Sequence, residues 1–263
     1  MSLPRSKDPG GCRKEAPRRP LSYNGASGSA FDAVLATAYF TPATFRFLRD
    51  LAANNNRAWF AANKPRYEDV LREPFLRLIG DLQGPLGRIS ARYRADPRPQ
   101  GGSLFRIHRD TRFASDKTPY KTWSGARFAH ERRREVAAAP SFYLHIEPHA
   151  CFAGGGLWHP EAPTLARIRA FLDENPAAWK KATRSRAFRA HFTFHGESLV
   201  RAPRGFDPAH ELLEDLKRRS QAAGRGFPDA LATSNELLPF VADTFARAAP
   251  MVDYLCAALD LEF

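Results

Sequence analysis

Large apolar residues return along this chain at two different periods, and the switch between them divides it. From residue 40 to about 87, and again beyond 160, they recur every three or four positions, the repeat of helices; from about 88 to 158 they alternate with polar residues, the repeat of strands. Thr41 followed by Pro42 predicts a helix start, with Phe40 and Phe45 placed as a hydrophobic staple and Phe45, Leu48 and Leu51 as the buried face. The run Asn54, Asn55, Asn56 should end it. A second helical region carries Trp59 and Phe60, restarts near Pro65, and continues with Tyr67, Leu71, Phe75, Leu78 and Leu82 on one side until Gly84, Pro85 and Gly87 stop it. Strands are predicted at 103–113, 122–130, 140–147 and 150–158, separated by turn residues at Gly101-Gly102, Asp116 to Pro119, Pro148-His149 and Gly154 to Gly156. Connections this short imply antiparallel neighbours. A helix is predicted over 163–183 with Pro163 at its first position, then a hairpin at 188–201 and a helix at 209–220. The C-terminal helix is marked by Leu238, Val241, Phe245, Ala248, Val252, Leu255 and Leu259, and Pro250 should kink or split it. Helices on either side of a block of strands predict an α+β fold, a central antiparallel sheet of about four to six strands flanked by N-terminal and C-terminal helices.

Composition narrows the picture. Residues 1–30 are rich in Pro, Gly, Ser and Arg and poor in large apolar groups, so 1–37 is expected to be a disordered basic arm ahead of one domain at 38–263. Cys12, Cys151 and Cys256 are odd in number and scattered, which leaves neither a disulfide framework nor a CxxC zinc site and favours a reducing, cytoplasmic setting. No apolar run approaches a membrane span, and the N-terminus lacks a signal-peptide core. The net charge of +12 is uneven: residues 88–134 hold thirteen Lys/Arg against four Asp/Glu. Within that block the stretch LFRIHRDTRFASDKTPYK, residues 104–121, gathers Arg106, Arg109, Arg112, Lys117 and Lys121 round Asp110 and Asp116. Such focused positive charge is what a site for an anion requires.

The stretches NNNRAWF (54–60), GGSLFRIHRDTRFASDKTPYKT (101–122), FYLHIEP (142–148), GGGLWHP (154–160) and RAPRGFDP (201–208), with the spaced C-terminal helix, occur in an order that resembles a bacterial and fungal family of conserved hypothetical proteins, domain of unknown function 2461. The resemblance covers roughly residues 38–261. It implies one domain over almost the whole chain, leaves the arm outside, and brings no established reaction, ligand or partner.

Alternation along 104–112 puts Leu104, Arg106, His108, Asp110 and Arg112 on one face, with Phe105, Ile107, Thr111 and Phe113 on the other beside Arg109. In the next strand Phe142, Leu144 and Ile146 form the buried side, with Tyr143, His145 and Glu147 opposite. If the two polar faces share one side of the sheet, they form a pocket for a phosphate or carboxylate ligand. Arg106, Arg109, Arg112, Lys117, Tyr120, Lys121, Trp158 and Arg204 are the candidate ligand contacts, the ligand being a small anion or nucleic acid. The alternative is a solvated face whose Arg and Asp pair across strands. A hydrolase would use Asp110, His145 and Glu147; an interaction module would need no small ligand. His108-x-Asp110 and His145-x-Glu147 have the spacing of paired strand ligands, but the adjacent arginines repel a divalent cation, so no metal and no other cofactor is expected. GxSxG, Walker and GxGxxG motifs are absent. Gly154 to Gly156 reads as a strand bend or turn, open to close approach of a ligand. Trp59, Trp123 and Trp158 are candidate stacking platforms for bases, with a place in the core as their alternative.

Overall fold

A computed structural model describes residues 38–112, 114–132 and 139–263. The arm assigned to 1–37, Phe113, and Arg133 and Arg134 of the basic block lie outside the described residues.

Six strands pair antiparallel throughout: β1 (Tyr93–Arg94), β2 (Ser124–His130), β3 (Ser141–Ile146), β4 (Cys151–Leu157), β5 (Thr193–His195) and β6 (Gln221–Phe227). Their order is β1-β2-β3-β4-β6-β5, so the last strand inserts between β4 and β5. Helical segments before β1, between β4 and β6 and after β6 complete the α+β architecture.

The three consecutive asparagines do three different jobs. Asn54 closes helix α1 (Pro42–Ala53), its backbone N–H donating to Asp50 and Leu51 carbonyls. The Asn56 side chain caps α2 (Arg57–Tyr67) by accepting from the Trp59 N–H at 2.9 Å. Asn55, between them, reaches 65 residues ahead: its amide donates to the Tyr120 carbonyl at 2.9 Å and accepts from the Tyr120 N–H at 3.0 Å. One side chain thus imitates a strand partner and fixes the signature segment to the helices. The start of α1 is as read, with Thr41 and Thr44 forming a reciprocal cap.

Pro65 does not restart a helix. α2 runs through it and then widens into a π turn (Glu68–Arg72) before α3 (Glu73–Asp81). Gly84, Pro85 and Gly87 lie inside a further helix, α4 (Gln83–Ile89), rather than ending one; Pro85 stands in its first turn, where the N–H has no partner anyway. The 163–183 helix is two, α5 (Ala162–Glu174) and α6 (Pro176–Thr183), because Asn175 precedes a proline and leaves helical geometry. No hairpin forms at 188–201: α7 (Arg186–His191) leads into β5, which pairs with β6. Of the helix at 209–220 only α8 (Leu213–Lys217) exists, and α9 (Asp229–Ala232) is a single turn. α10 (Leu237–Ala257) continues unbroken through Pro250, with Leu237 rather than Leu238 in the buried stripe. Its Phe245 ring packs on Phe142 and Phe128, at 5.1 and 5.2 Å, which seats the helix on one face of the sheet.

The glycine run 154–156 is neither a turn nor a phosphate cradle. It lies in the middle of β4, where a Cβ on Gly154 or Gly156 would come within 2.1 Å of the Ala223 or Gln221 carbonyl, and one on Gly155 within 2.9 Å of Val252. The missing side chains let β6 close on one edge and α10 on one face, so the close approach is by backbone and helix.

Candidate functional site

Among its described residues the segment 103–113, read as a strand, makes only isolated bridges, Leu104 to Ala126 and His108 to Tyr120. Between them it turns back on itself. The Arg109 N–H donates to the Pro119 carbonyl at 2.9 Å and the Lys121 N–H to the Ile107 carbonyl at 2.8 Å, enclosing a loop over 110–118. Side chains explain why no ladder continues. Asp116 accepts from the Thr118 N–H at 2.9 Å and Asp110 from the Arg112 N–H at 3.3 Å, local bonds that compete with strand pairing. The alternation survives in exposure alone: Arg106, His108, Asp110 and Arg112 are exposed while Ile107 is buried.

Beside this loop lies a pocket of about 490 Å³, walled by Ala52 and Asn55 at the end of α1 and by Arg109, Asp110, Asp116, Thr118 and the run Tyr120 to Trp123. Two of the cations in and around it are neutralised. Arg109 is bonded to Asp116 and Thr118, and Arg112 pairs with Asp110 at 2.8 Å on the open surface. Each guanidinium holds its carboxylate well down, Asp110 and Asp116 both to about 2, so both are ionised at neutral pH.

Lys121 differs. Its ammonium lies 4.9 Å from the Trp123 ring centroid and 5.3 Å from that of Phe105, and donates to the Arg106 carbonyl at 2.8 Å. Among the described residues no carboxylate pairs with it. Burial, then the nearby Arg106 charge, lowers its pKa below the ordinary lysine value. Arg106 is exposed beside it, and Lys117 spends its ammonium on the Thr111 carbonyl at 2.9 Å. Tyr120 is buried, its ring stacked on Phe60 at 4.1 Å with one edge on the pocket.

His145 and Glu147 come together as expected, Nε2 to carboxylate at 2.9 Å, on the sheet face opposite Phe142, Leu144 and Ile146. Tyr143, placed on this face by the sequence but not counted among the site residues, closes the other nitrogen, its hydroxyl 3.0 Å from Nδ1. Burial lowers the His145 pKa despite the carboxylate, which makes the imidazole neutral at pH 7; Tyr143 then donates to Nδ1 and Nε2–H to Glu147. With both nitrogens engaged, neither is open to a metal, and among the described residues no group of three or more His, Cys, Asp or Glu gathers elsewhere. Asp110 does not join this pair. Nor do Trp158 and Arg204: Trp158 is exposed beyond the far end of β4, against His159 and Gly196, and Arg204 lies exposed in the loop before α8. Burial pushes the Cys151 thiol up to about 12, which keeps it protonated at neutral pH.

Sequence reasoning missed Asn55 as a site-building residue and Phe105 as a wall for Lys121. The signal for Phe105 was its own alternation; the bond from Asn55 to Tyr120 spans too long a separation for any periodicity to carry. No curated protein and no solved structure matches the chain. A family model described as conserved hypothetical protein (DUF2461) matches residues 43–254, from the first turn of α1 to near the end of α10, and takes in every residue that walls the pocket. The chain belongs to this family of conserved hypothetical proteins.

Proposed function

We propose that this protein binds an anionic ligand, best a phosphorylated small molecule, in the pocket at Lys121. The observation that carries the reading is a half-buried ammonium with no carboxylate partner among the described residues, set between two rings and beside a second cation, Arg106. Neighbouring cations repel, and burial adds a desolvation penalty; a bound anion offsets both. Arg109 and the hydroxyl of Thr122 add donors at the wall, with Arg106, Arg112 and Lys117 nearby to attract the ligand. The volume is that of a small-molecule site. Buried, unpaired Cys151 and Cys256 are in keeping with a cytoplasmic setting, and no helix among the described residues is long and apolar enough to cross a membrane. The test is thermal melting with phosphate, pyrophosphate and a nucleoside monophosphate. At least one should raise the melting temperature of the native protein and fail to raise that of Lys121→Met; no shift with any of them at millimolar concentration overturns the reading.

A hydrolytic reading has one observation in its favour, the hydrogen-bonded series Tyr143, His145, Glu147, in which a neutral imidazole is oriented by a carboxylate as a general base requires. Asp110 suits it less, since its pairing with Arg112 leaves it a weak base. Turnover of an aryl phosphate that is lost in His145→Asn would support this reading; an unchanged rate in that variant would end it.

A further inference from the structure

The sheet face turned away from α10 is not a plain polar surface. Six rings stand on it in one connected series: Phe105 to Trp123 at 6.4 Å and to Tyr143 at 5.8 Å, Trp123 to His145 at 4.9 Å, His145 and Tyr143 to Phe152 at 4.9 and 5.6 Å, and Phe152 to His195 at 5.6 Å. His145 is buried and His195 exposed; the other four are partly exposed. The series crosses from the segment before β2 to β5, although β6 lies between β4 and β5.

Glycines make this continuity. A Cβ on Gly224 of β6 would lie 3.0 Å from His195 Nε2 and 3.1 Å from Phe152, so the bare backbone is what lets His195 reach across β6 to Phe152. A Cβ on Gly125 of β2 would meet the Tyr143 hydroxyl at 2.4 Å, so Tyr143 likewise lies over a strand without a side chain. Two strands have given up side chains on the face where the rings lie. A connected series of partly exposed rings of this extent is suited to a partner that stacks on it.

Charge narrows what the partner is. Lys121 and Arg106 stand at the Trp123 end, and Arg127, exposed and directly opposite Tyr143 in register, points to the same face as Gly125. Glu147, the carboxylate of this face, is engaged by His145. Apolar rings bordered by cations suit a polymer with π faces and regularly spaced negative charge. We propose that this face binds single-stranded nucleic acid, bases against the Tyr143, Phe152 and His195 rings and a backbone phosphate at Lys121. The inference rests on the reading of Lys121 as an anion site and extends it from a pocket to a track.

The experiment is fluorescence anisotropy of a labelled oligothymidylate of about 16 nucleotides, the upper site size for one single-strand-binding module, with an equal-length duplex and inorganic pyrophosphate as competitors. Binding to the single strand, weakening as salt rises, is expected to fall about tenfold or more in Phe152→Leu, which keeps apolar bulk but loses the π face. His195→Ala, at an exposed position that folding tolerates, and Lys121→Met should each weaken it too. Equal affinity for the duplex, or binding unaffected by all three substitutions, overturns the proposal. Pyrophosphate binding that depends on Lys121, without oligonucleotide binding, overturns it and leaves the pocket reading standing; failure of the oligonucleotide together with all three phosphate ligands of the melting test removes both.

Discussion

Lys121 is the residue on which the site turns, and its titration gives a signed test. Its folded pKa lies below the ordinary lysine value of about 10.4. Between the two values the unfolded chain holds a proton that the folded chain has lost, so unliganded stability should rise with pH across that window. Anion affinity should do the opposite, falling as pH climbs through the lowered pKa; Lys121→Arg should keep binding to higher pH, because guanidinium stays charged. Phosphate-dependent melting from pH 7 to 10 reads both trends, and affinity that is flat in the native protein would exclude Lys121 as the anion's partner. Arg106→Met and Arg112→Met separate charge from structure in the same way. Both side chains are exposed, and the Arg112 to Asp110 pair is a surface ion pair, so each substitution should leave the unliganded melting temperature nearly unchanged. Arg106→Met alone should strongly weaken ligand-induced stabilisation, since Arg106 adjoins Lys121. A large loss of unliganded stability would instead make Arg106 a structural residue. The cationic residue types were legible from the sequence. Which cation lacks a counter-ion was not, because Asp110 and Asp116 choose their partners through loop geometry that strand alternation does not describe.

At the scale of elements, the signature loop is held by one side chain from outside it. Asn55→Ala should remove both hydrogen bonds to Tyr120 and cost about 2 kcal/mol, at about 1 kcal/mol each. Urea unfolding measures that cost, and faster hydrogen exchange at the Tyr120 amide should accompany it; unchanged exchange would mean the loop is held by other contacts. The glycines of β4 give a harsher prediction. Gly154→Ala sets a methyl against the Ala223 carbonyl at 2.1 Å, backbone against backbone in mid-sheet, and should cost about 3 kcal/mol or more in denaturant unfolding. A cost near zero would show that β6 can move off β4. These elements also mark where pattern reading works and stops. α1, β2, β3 and β4 were legible because caps and alternation are local. β6 was not, since Gln221 to Phe227 is alanine and glycine with one arginine, small for packing reasons set by β4. Pro250 and the glycines of α4 misled in the other direction: α10 is held by its buried stripe on the sheet, and tertiary packing overrides local propensity.

Over the whole molecule the charge is less simple than one basic block on a neutral body. Residues 176–204 carry seven Lys/Arg and one Asp/Glu, while 205–263 carry five against ten, so two opposed regions cancel in the sum. The basic block at 88–134 therefore sits in a field shaped by the whole chain, and the arm adds to it. Residues 1–37 hold six Lys/Arg and three Asp/Glu, so a chain beginning at residue 38 drops from +12 to +9. Its fold should be unaffected, because among the described residues alone, from Tyr39 to Leu261, a continuous buried apolar core is already formed. Among the described residues its pocket is walled by residues from Ala52 to Trp123, so contacts of those residues to a bound phosphate should persist without the arm. What changes is long-range attraction, and salt decides how much of that is felt. At physiological ionic strength charges are screened beyond about 8 Å, whereas at 0.01 M the range is about 30 Å. The truncated chain should therefore melt cooperatively at an unchanged temperature and bind phosphate within about twofold of the full chain at 0.15 M salt, with a larger deficit at 0.01 M. Calorimetric melting and titration at the two salt concentrations measure this. Loss of cooperative melting would place residues 1–37 in the folded unit, and a tenfold loss of affinity at 0.15 M with melting intact would move the anion's contacts from the Lys121 pocket to the arm.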